Sequence, residues 1–361
     1  MIELVPPGTH IDFVGMRRVT LVISGLALLA GLVAAVTIGP RYGIDFAGGN
    51  EVQVRFPETP EASDGPIREV VTACGVREPS VVRYGESDAV EFLINFRPLE
   101  EGAASAGDAC PITAEQRQAL EALREELGLE AGDQGEVVER LRLALGNRIG
   151  PVEIERVEFV GPRVGAELRR DGLFALIYAC IFILIYIALR FNLRFAPGAV
   201  VALIHDIAIT AGVFVIFGLE FDLRVLAAML AILGYSLNDT IIVYDRIREN
   251  LALHTKRDLP EVINLSINQT MSRTLLTSGT TLVAVLALLF LGGEVIRTFA
   301  LAMTVGIVVG TYSSVFIAAI TLLYLERWLG DGQAGQGLAA PARTPHPKAG
   351  RRAKGRRAAG A

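Results

Sequence analysis

The stretch VLAAMLAILGYSLNDTIIVYDRIREN (residues 225–250) is almost continuously apolar up to Leu237, and its apolar character resumes soon after the pair Asn238-Asp239. A run of this length can cross the hydrocarbon core of a bilayer. An aspartate at the centre of a membrane helix costs about 2.5–3.5 kcal/mol on insertion scales, so ionisable side chains persist there where they face protein or water. The stretch therefore predicts a membrane-spanning helix with a carboxyl group turned away from lipid.

The rest of the chain has the same apolar character. Of its 361 residues, 52% are hydrophobic and 20% are charged, and the mean hydropathy is +0.44, which is rare for a soluble protein of this size. Windows of about 20 apolar residues, long enough to span a membrane, recur along the sequence. They cover 19–39, 172–189, 196–219, 225–244, 274–293 and 298–324. The sequence thus predicts a polytopic α-helical membrane protein with six transmembrane helices, the last five forming a bundle over 171–328.

Basic residues mark one side of the predicted bundle. They are Arg17, Arg18, Arg190, Arg194, Arg246, Arg248, Lys256, Arg257 and Arg273. The positive-inside rule therefore places the N-terminal segment 1–18 and the C-terminal tail 329–361 in the cytoplasm, and segment 40–170 outside it. The tail is basic and has few large apolar residues, so we expect it to be disordered. The first apolar run has no clean A-x-A cleavage site before Tyr42 and is interpreted as an uncleaved anchor.

Segment 40–170 has a different periodicity from the spans. Hydrophobic residues alternate, as in half-buried strands, over 50–56, 80–84, 89–96 and 151–160. Helical periodicity covers 64–75, 113–128 and 135–146. The order β-α-β-β-α-β, with the second helix doubled, predicts one extracytoplasmic α+β, ferredoxin-like domain between helices 1 and 2. This segment contains no histidine and no Ser–His–Asp set, which favours a binding or moving module over an enzyme.

The three cysteines give little direct guidance. Cys180 lies within the second predicted span and is expected to be a small packing residue. Cys74 and Cys110 lie in the extracytoplasmic segment, where an oxidising compartment permits a disulfide. Their spacing matches no motif, so the sequence favours two free thiols and leaves their pairing open. No Cys/His pattern indicates zinc, and we predict no metal or other cofactor.

Polar residues occur inside three of the spans. His205 and Asp206 lie near the middle of the third, and Arg273 opens the fifth, ahead of a stripe of hydroxyl residues. A carboxyl group in a low dielectric favours its neutral form, whereas a nearby cation favours the charged form. Asp239, with Arg273 in reach, could therefore alternate between protonated and ion-paired states, as a proton-coupled machine requires. The alternative is that Asp239 only hydrogen-bonds a neighbouring helix, and for Asp206 the sequence favours that alternative.

Two further features have simple structural interpretations. Gly306 and Gly310 form a G-x-x-x-G pattern in the sixth span and are expected to allow close helix packing. His205 and Asp206 are adjacent, so their side chains point roughly 100° apart on a helix and do not easily bind one metal.

Several of these stretches, taken together, resemble the SecF family of protein translocase subunits. They are GIDFAGGN (43–50), VGPRVGAEL (160–168), LIHDIAIT (203–210), GYSLNDTIIVYDRIREN (234–250), SINQTMSRT (266–274) and GTYSS (310–314). The motifs occur in the order of the family, and the resemblance extends from about residue 10 to about residue 328. Ala47 and Asn50 stand where the family often has Thr, and the insertion 98–135 and the Arg-rich tail are particular to this chain.

The resemblance implies a fold like one half of a resistance-nodulation-division (RND) transporter, in the bacterial inner membrane. It implies that the chain uses the proton motive force with SecD to assist export of preproteins through the SecYEG channel, with the SecA motor. YajC and YidC are further partners that it suggests, and it implies no catalysis and no nucleic acid. It assigns proton coupling to Asp239 and Arg273, and we add Asn238 and Asp206 as candidates.

Two other functions are compatible with parts of the sequence. An RND-type exporter of small molecules or lipids usually fuses two six-helix halves, and this chain has one. An intramembrane aspartyl protease would need Asp206 and Asp239 to share a proton. Tyr244-Asp245 offers one motif of such proteases, but their Gly-x-Gly-Asp motif is absent from the sequence.

Overall fold

The computed structural model describes residues 10–76, 79–84, 90–96, 110–127, 134–191 and 193–328. The first half contains α1 (Arg17–Thr37), β1 (Arg41–Tyr42), α2 (Ile44–Ala47), β2 (Gly49–Arg55), α3 (Asp64–Ala73), β3 (Ser80–Tyr84), β4 (Glu91–Phe96), α4 (Ala114–Leu127), α5 (Gln134–Arg148) and β5 (Glu153–Val160). The second half contains α6 (Pro162–Arg190), α7 (Ala196–Ile216), β6 (Glu220–Phe221), α8 (Leu223–Leu253), α9 (Leu259–Leu291), α10 (Gly293–Ser313), a π-helix (Ser314–Ala318) and α11 (Ala319–Trp328). The tail 329–361, with its predicted disorder, lies outside the described residues, as do residues 98–109 and 128–133 of the insertion 98–135.

Six helical stretches among the described residues are long and apolar enough to cross a membrane, as predicted. They are α1, α6, α7, α8, α9 and a sixth span that runs from α10 through the π-helix to α11. The sixth span, α7 and α8 contribute most of the buried residues, whereas α1 and α6 expose apolar side chains such as Leu26 and Phe182. Gly31 of α1 meets Gly212 of α7, and a Cβ on either would lie 3.0 Å from the other's Cα.

Most of these helices are longer than the predicted spans. The structure starts α6 at 162 rather than 172, ends α8 at 253 rather than 244, and starts α9 at 259 rather than 274. Hydropathy misses these turns because they are amphipathic and extend beyond the apolar windows. The end of α7 differs in the other direction, at 216 rather than 219, because Gly218 (φ 63°) terminates it.

The extramembrane domain has the predicted ferredoxin-like arrangement. Its four strands are antiparallel in the order β3-β4-β2-β5, which is the order of a split β-α-β unit. Buried residues of the sheet, such as Val52 and Ile94, form one core with residues of α3 and α5, such as Ile67 and Leu145. At α4, Thr113 and Gln116 exchange the two hydrogen bonds of a capping box. The fold class is therefore confirmed.

Cys74 and Cys110 form a disulfide, with their Cα atoms 4.2 Å apart. The preference for free thiols was wrong. The bond joins the end of α3 to the segment before α4, and both cysteines are about 4% exposed. Their contact depends on how α3 packs beside the sheet, which a separation of 36 residues does not reveal. Cys180 is a free, half-buried thiol on α6.

The segment 43–49 forms a corner where the domain meets the bundle. Gly48 has φ 75°, and a Cβ there would lie 2.7 Å from the Cα of Pro162, at the start of α6. The Asp45 carboxylate accepts a hydrogen bond from the Leu223 backbone N–H at the start of α8, at 2.9 Å. Strand β1, just before the corner, pairs with β6. The corner thus connects the exit of α1 to the starts of α6 and α8.

Replacing Gly48 with Ala should lower the amount of folded protein in the membrane, because the methyl group adds a backbone collision to the cost of the left-handed conformation. Gly39→Ala is the matched control, since Gly39 has φ 78° but open space around its Cβ position. Its cost should be the conformational strain alone, about 1–2 kcal/mol. Thermal melting of the purified variants measures the difference, and equal losses would show that the corner has no close packing.

Candidate functional site

The polar residues inside the spans meet where α7, α8, α9 and the sixth span come together. Asp206 of α7 is 0% exposed, and its Oδ2 accepts hydrogen bonds from the hydroxyls of Ser236 at 2.6 Å and Ser313 at 2.8 Å. Its Oδ1 lies 3.0 Å from Nδ1 of His205. Both carboxyl oxygens therefore have partners, and the group links α7 to α8 and α10.

Asp239 of α8 lies in a different environment. It is 1% exposed, and its Oδ2 accepts one hydrogen bond, from the Ser278 hydroxyl of α9 at 3.1 Å. Ser278 in turn accepts one from the Thr311 hydroxyl of α10 at 2.8 Å. The Oδ1 of Asp239 is buried and has no hydrogen-bond partner among the described residues. Such an atom carries a free-energy cost that a proton, a water molecule or a cation would relieve.

The glycine pair of α10 lies directly against α8. A Cβ on Gly306 would be 2.2 Å from the Ile232 side chain, and a Cβ on Gly310 would be 3.0 Å from Cβ of Ser236. This close approach lets short side chains bridge the two helices. Thr311 and Ser313, on either side of Tyr312, reach the Asp239 and Asp206 groups respectively.

Arg273 does not contact Asp239 in this structure. Its side chain is exposed, and it forms no ion pair with any residue that the structure describes. It lines a cleft of about 390 Å³ together with Asp245 and Glu249 of α8. Arg273 precedes Ser278 by five residues, about 7.5 Å along a helix axis. The ion-paired state that the sequence suggested would therefore require a movement of α9 or of its side chains.

Other polar side chains have surroundings that the sequence did not indicate. Asn238 is exposed, whereas Asp239 beside it is buried. The sequence did not indicate that Ser236 and Ser313 would hydrogen-bond Asp206, although the motif GTYSS contains Ser313. Thr274, one turn before Ser278 on α9, is 1% exposed and its hydroxyl has no partner among the described residues.

A second polar region lies between the domain and the bundle. A cavity of about 460 Å³ is lined by acidic side chains at Asp45, Glu51, Glu158, Glu220 and Asp222. Burial raises the pKa of Glu51, and the charge of Glu158 on the neighbouring strand raises it further. Burial and Asp222 likewise raise the pKa of Glu220. These carboxyl groups therefore take up protons at a higher pH than ordinary glutamates. Among the described residues, no cluster of His, Cys, Asp and Glu is arranged to hold a metal ion.

Comparison with known proteins adds independent information. A family model described as protein export membrane protein SecD/SecF, C-terminal, matches residues 144–328, and a SecD/SecF GG motif model matches 33–56. The protein translocase subunit SecF of Desulfurispirillum indicum is 41% identical over 318 residues, covering 87% of this chain and 91% of that protein. The SecF subunit of Rhodothermus marinus is also 41% identical, over 320 residues, covering 87% and 92%.

Solved structures show the same likeness. The crystal structure of SecDF, a translocon-associated membrane protein from Thermus thermophilus, superimposes with a TM-score of 0.68 at 35% identity. The match covers 89% of this chain and 39% of the SecDF chain, so this chain spans about two fifths of that protein. SecDF in its super-membrane-facing form gives a TM-score of 0.58 at 36% identity. The longer family match includes Asp206, Asp239 and Arg273, and the GG motif match includes the corner at Gly48.

Proposed function

Because the chain belongs to the SecF family of protein translocase subunits, we propose that it couples proton movement across the bacterial inner membrane to preprotein export. In this proposal it works with SecD and assists the SecYEG channel and the SecA motor. The observation that carries the proposal is Asp239, a buried carboxyl group where three helices meet, with one oxygen that has no partner among the described residues. YajC and YidC are partners suggested by the family resemblance alone.

Asp239 is the proton-binding group in this mechanism. With a proton, it remains neutral beside Ser278, and its buried position is stable. When the proton leaves, a nearby cation is needed to stabilise the buried carboxylate. Arg273 can supply this cation after a movement of α9. The Thr274 hydroxyl, buried one turn before Ser278 and without a partner among the described residues, offers a further polar group on the same helix. Proton binding and helix movement are thereby linked.

Asp206 has a different role in this proposal. Its two oxygens already have three partners, so the local structure offers little that protonation or a new cation would improve. We assign it to holding α7, α8 and α10 together while Asp239 changes state. The same geometry disfavours the aspartyl protease, because the two carboxyl groups use separate hydrogen-bond partners and do not bond each other. The RND-type exporter is disfavoured by the SecF names of the relatives that this chain resembles along most of its length.

Two further features support the topology that we propose. The disulfide of the extramembrane domain supports an oxidising compartment on that side of the membrane. The basic connection between α8 and α9, with Lys256 and Arg257, supports a cytoplasmic position for the other side. Both termini are then cytoplasmic, and the cleft at Arg273 opens toward the cytoplasm.

One face of α8 fits a membrane-embedded partner. Although α8 packs against α6, α7, α9 and α10, it leaves exposed a row of small or polar residues at Ala227, Ala231, Gly234 and Asn238. Small residues allow close helix approach in lipid, and an asparagine amide there would gain from a partner in another helix. We assign this face to contact with SecD.

Replacing Gly234 with Leu should reduce co-purification of SecD, because a large side chain would separate the two helix surfaces. Its Cβ position meets nothing within 4 Å among the described residues, so the fold of the subunit itself should tolerate the change. Gly25→Leu on α1, whose Cβ position is equally open, is the matched control. Pull-down from membranes measures the ratio of the two subunits, and an unchanged ratio for Gly234→Leu would exclude this face.

Replacing Asp239 with Asn should abolish the gradient-dependent part of preprotein export while leaving complex assembly and gradient-independent export intact. Asn keeps the shape and the contact with Ser278 but binds no proton. Export of a reporter in cells lacking their own SecF, with and without an uncoupler, measures both parts. Asp206→Asn should give a milder export defect and a lower melting temperature, since it weakens a buried network worth about 1–3 kcal/mol. Normal gradient-dependent export with Asp239→Asn would refute the proposed function.

Replacing Arg273 with Lys should impair gradient-dependent export, because lysine keeps the charge but loses the planar fork that binds a carboxylate at two points. Arg257→Lys is the control, since Arg257 is exposed in the turn between α8 and α9. The same reporter assay compares them. If both variants behave alike, Arg273 is only one of the positive charges that set the topology.

A further inference from the structure

The segment 10–16, which we call the N-terminal strap, crosses the end of the bundle that carries the cleft. Phe13 and Val14 are 5% and 4% exposed and belong to an apolar cluster with residues of α8, α9 and the π-helix. The strap precedes the first span and was given no role by the sequence analysis. The burial of Phe13 and Val14 shows that the strap packs against the bundle, although its other residues are exposed.

Two asparagines of α9, one helical turn apart, hold the strap. Asn268 accepts a hydrogen bond from the Ile11 N–H and donates one to the Ile11 carbonyl, both at 2.9 Å. Asn264 accepts one from the Val14 N–H at 3.0 Å and donates one to the Asp12 carboxylate at 2.6 Å. The bond from Asn264, with the Gly15 backbone N–H and Arg17, holds the pKa of Asp12 below its ordinary value. The strap is therefore bound at both ends to one face of α9.

An aromatic column connects the strap to the Asp206 group. The Phe13 ring lies 5.7 Å from that of Phe316 in the π-helix, and Phe316 lies 5.1 Å from Tyr312. Tyr312 stacks on His205 at 6.2 Å, and its hydroxyl donates to the Thr20 carbonyl of α1 at 2.8 Å. The strap thus contacts α9 directly and the π-helix through Phe316, and Tyr312 continues this row of rings to His205 and α1.

These contacts hold the N-terminal part of α9, the helix that would have to move for Arg273 to reach Asp239. The asparagines lie in the same helix as Ser278, which meets Asp239, and Arg273, which does not. A shift of α9 that brings Arg273 toward Asp239 would have to stretch or break the strap contacts, because the strap continues directly into α1.

We propose that Asn264 and Asn268 are positioning residues, which act through the N-terminal strap to hold α9 in the state where Ser278 meets Asp239. Release of the strap accompanies the state in which Arg273 meets Asp239. This inference rests on the proposed function, and it gives the SINQT part of the SINQTMSRT motif a role in that function.

The test exchanges the donor and the acceptor of the hydrogen bond between Asn264 and Asp12. Asn264→Asp places a second carboxylate against Asp12 and should release the strap. Combining it with Asp12→Asn restores a donor and an acceptor across the same contact. Thr255→Asp, in the exposed turn between α8 and α9, is the control for added negative charge. Each variant is expressed with SecD, and the complex is purified.

Hydrogen–deuterium exchange of segments 10–16 and 259–272 reports strap release, and the reporter assay separates gradient-dependent from gradient-independent export. We expect Asn264→Asp to speed hydrogen–deuterium exchange at least about tenfold, as the loss of charge-assisted hydrogen bonds predicts. Gradient-dependent export should fall several-fold, and gradient-independent export should stay unchanged. The double variant should recover both values, and Thr255→Asp should change neither.

Three results would overturn the inference. Unchanged exchange in Asn264→Asp would mean that these bonds do not hold the strap. Faster exchange with normal gradient-dependent export would reduce the strap to a structural anchor. Recovery of exchange without recovery of export in the double variant would break the link between them. Asp239→Asn, measured alongside, separates the two proposals. If gradient-dependent export is lost in Asp239→Asn but normal in the strap variants, only the role of the strap is rejected. If gradient-dependent export is normal in Asp239→Asn, the proposed function itself is rejected.

Discussion

A buried polar group in a membrane protein has to find its partners inside the protein, because lipid offers none. The two aspartates of this bundle meet that constraint differently. Asp206 has a partner for each oxygen, and Asp239 has one oxygen without any among the described residues. On the proposed function, this difference separates a group that fastens helices from a group whose charge changes. Both groups lie where the helices of the bundle pack most closely.

Close packing makes that difference possible. Serine and threonine hydroxyls reach only a short distance, so they bridge helices only where the backbones nearly touch. Gly306 and Gly310 provide this approach between α10 and α8. The π-helix begins immediately after Ser313 and widens one turn of the sixth span. Helix geometry, as much as residue type, therefore decides which hydroxyl serves which carboxyl group.

The sequence predicted what depends on composition and periodicity. The spans followed from hydropathy, the strands of the domain from alternation, and Asp239 from its position inside an apolar run. It failed where the outcome depends on which distant residues approach each other. The Cys74–Cys110 bond and the hydroxyl partners of Asp206 are of this kind. The role of Asn238 stays a prediction, and the structure adds only that its side chain is exposed.

The disulfide has a consequence for the biosynthesis of the chain. Thiols are kept reduced in the cytosol, so in the proposed topology Cys74 and Cys110 pair only after the domain between α1 and α6 has crossed the membrane. The domain therefore matures in two stages, first as an unlinked translocating segment and then as a covalently closed fold. Each new copy of this subunit depends on translocation to complete its own covalent structure. Cells with impaired translocation would thus produce immature copies of the subunit, and the initial defect would be amplified.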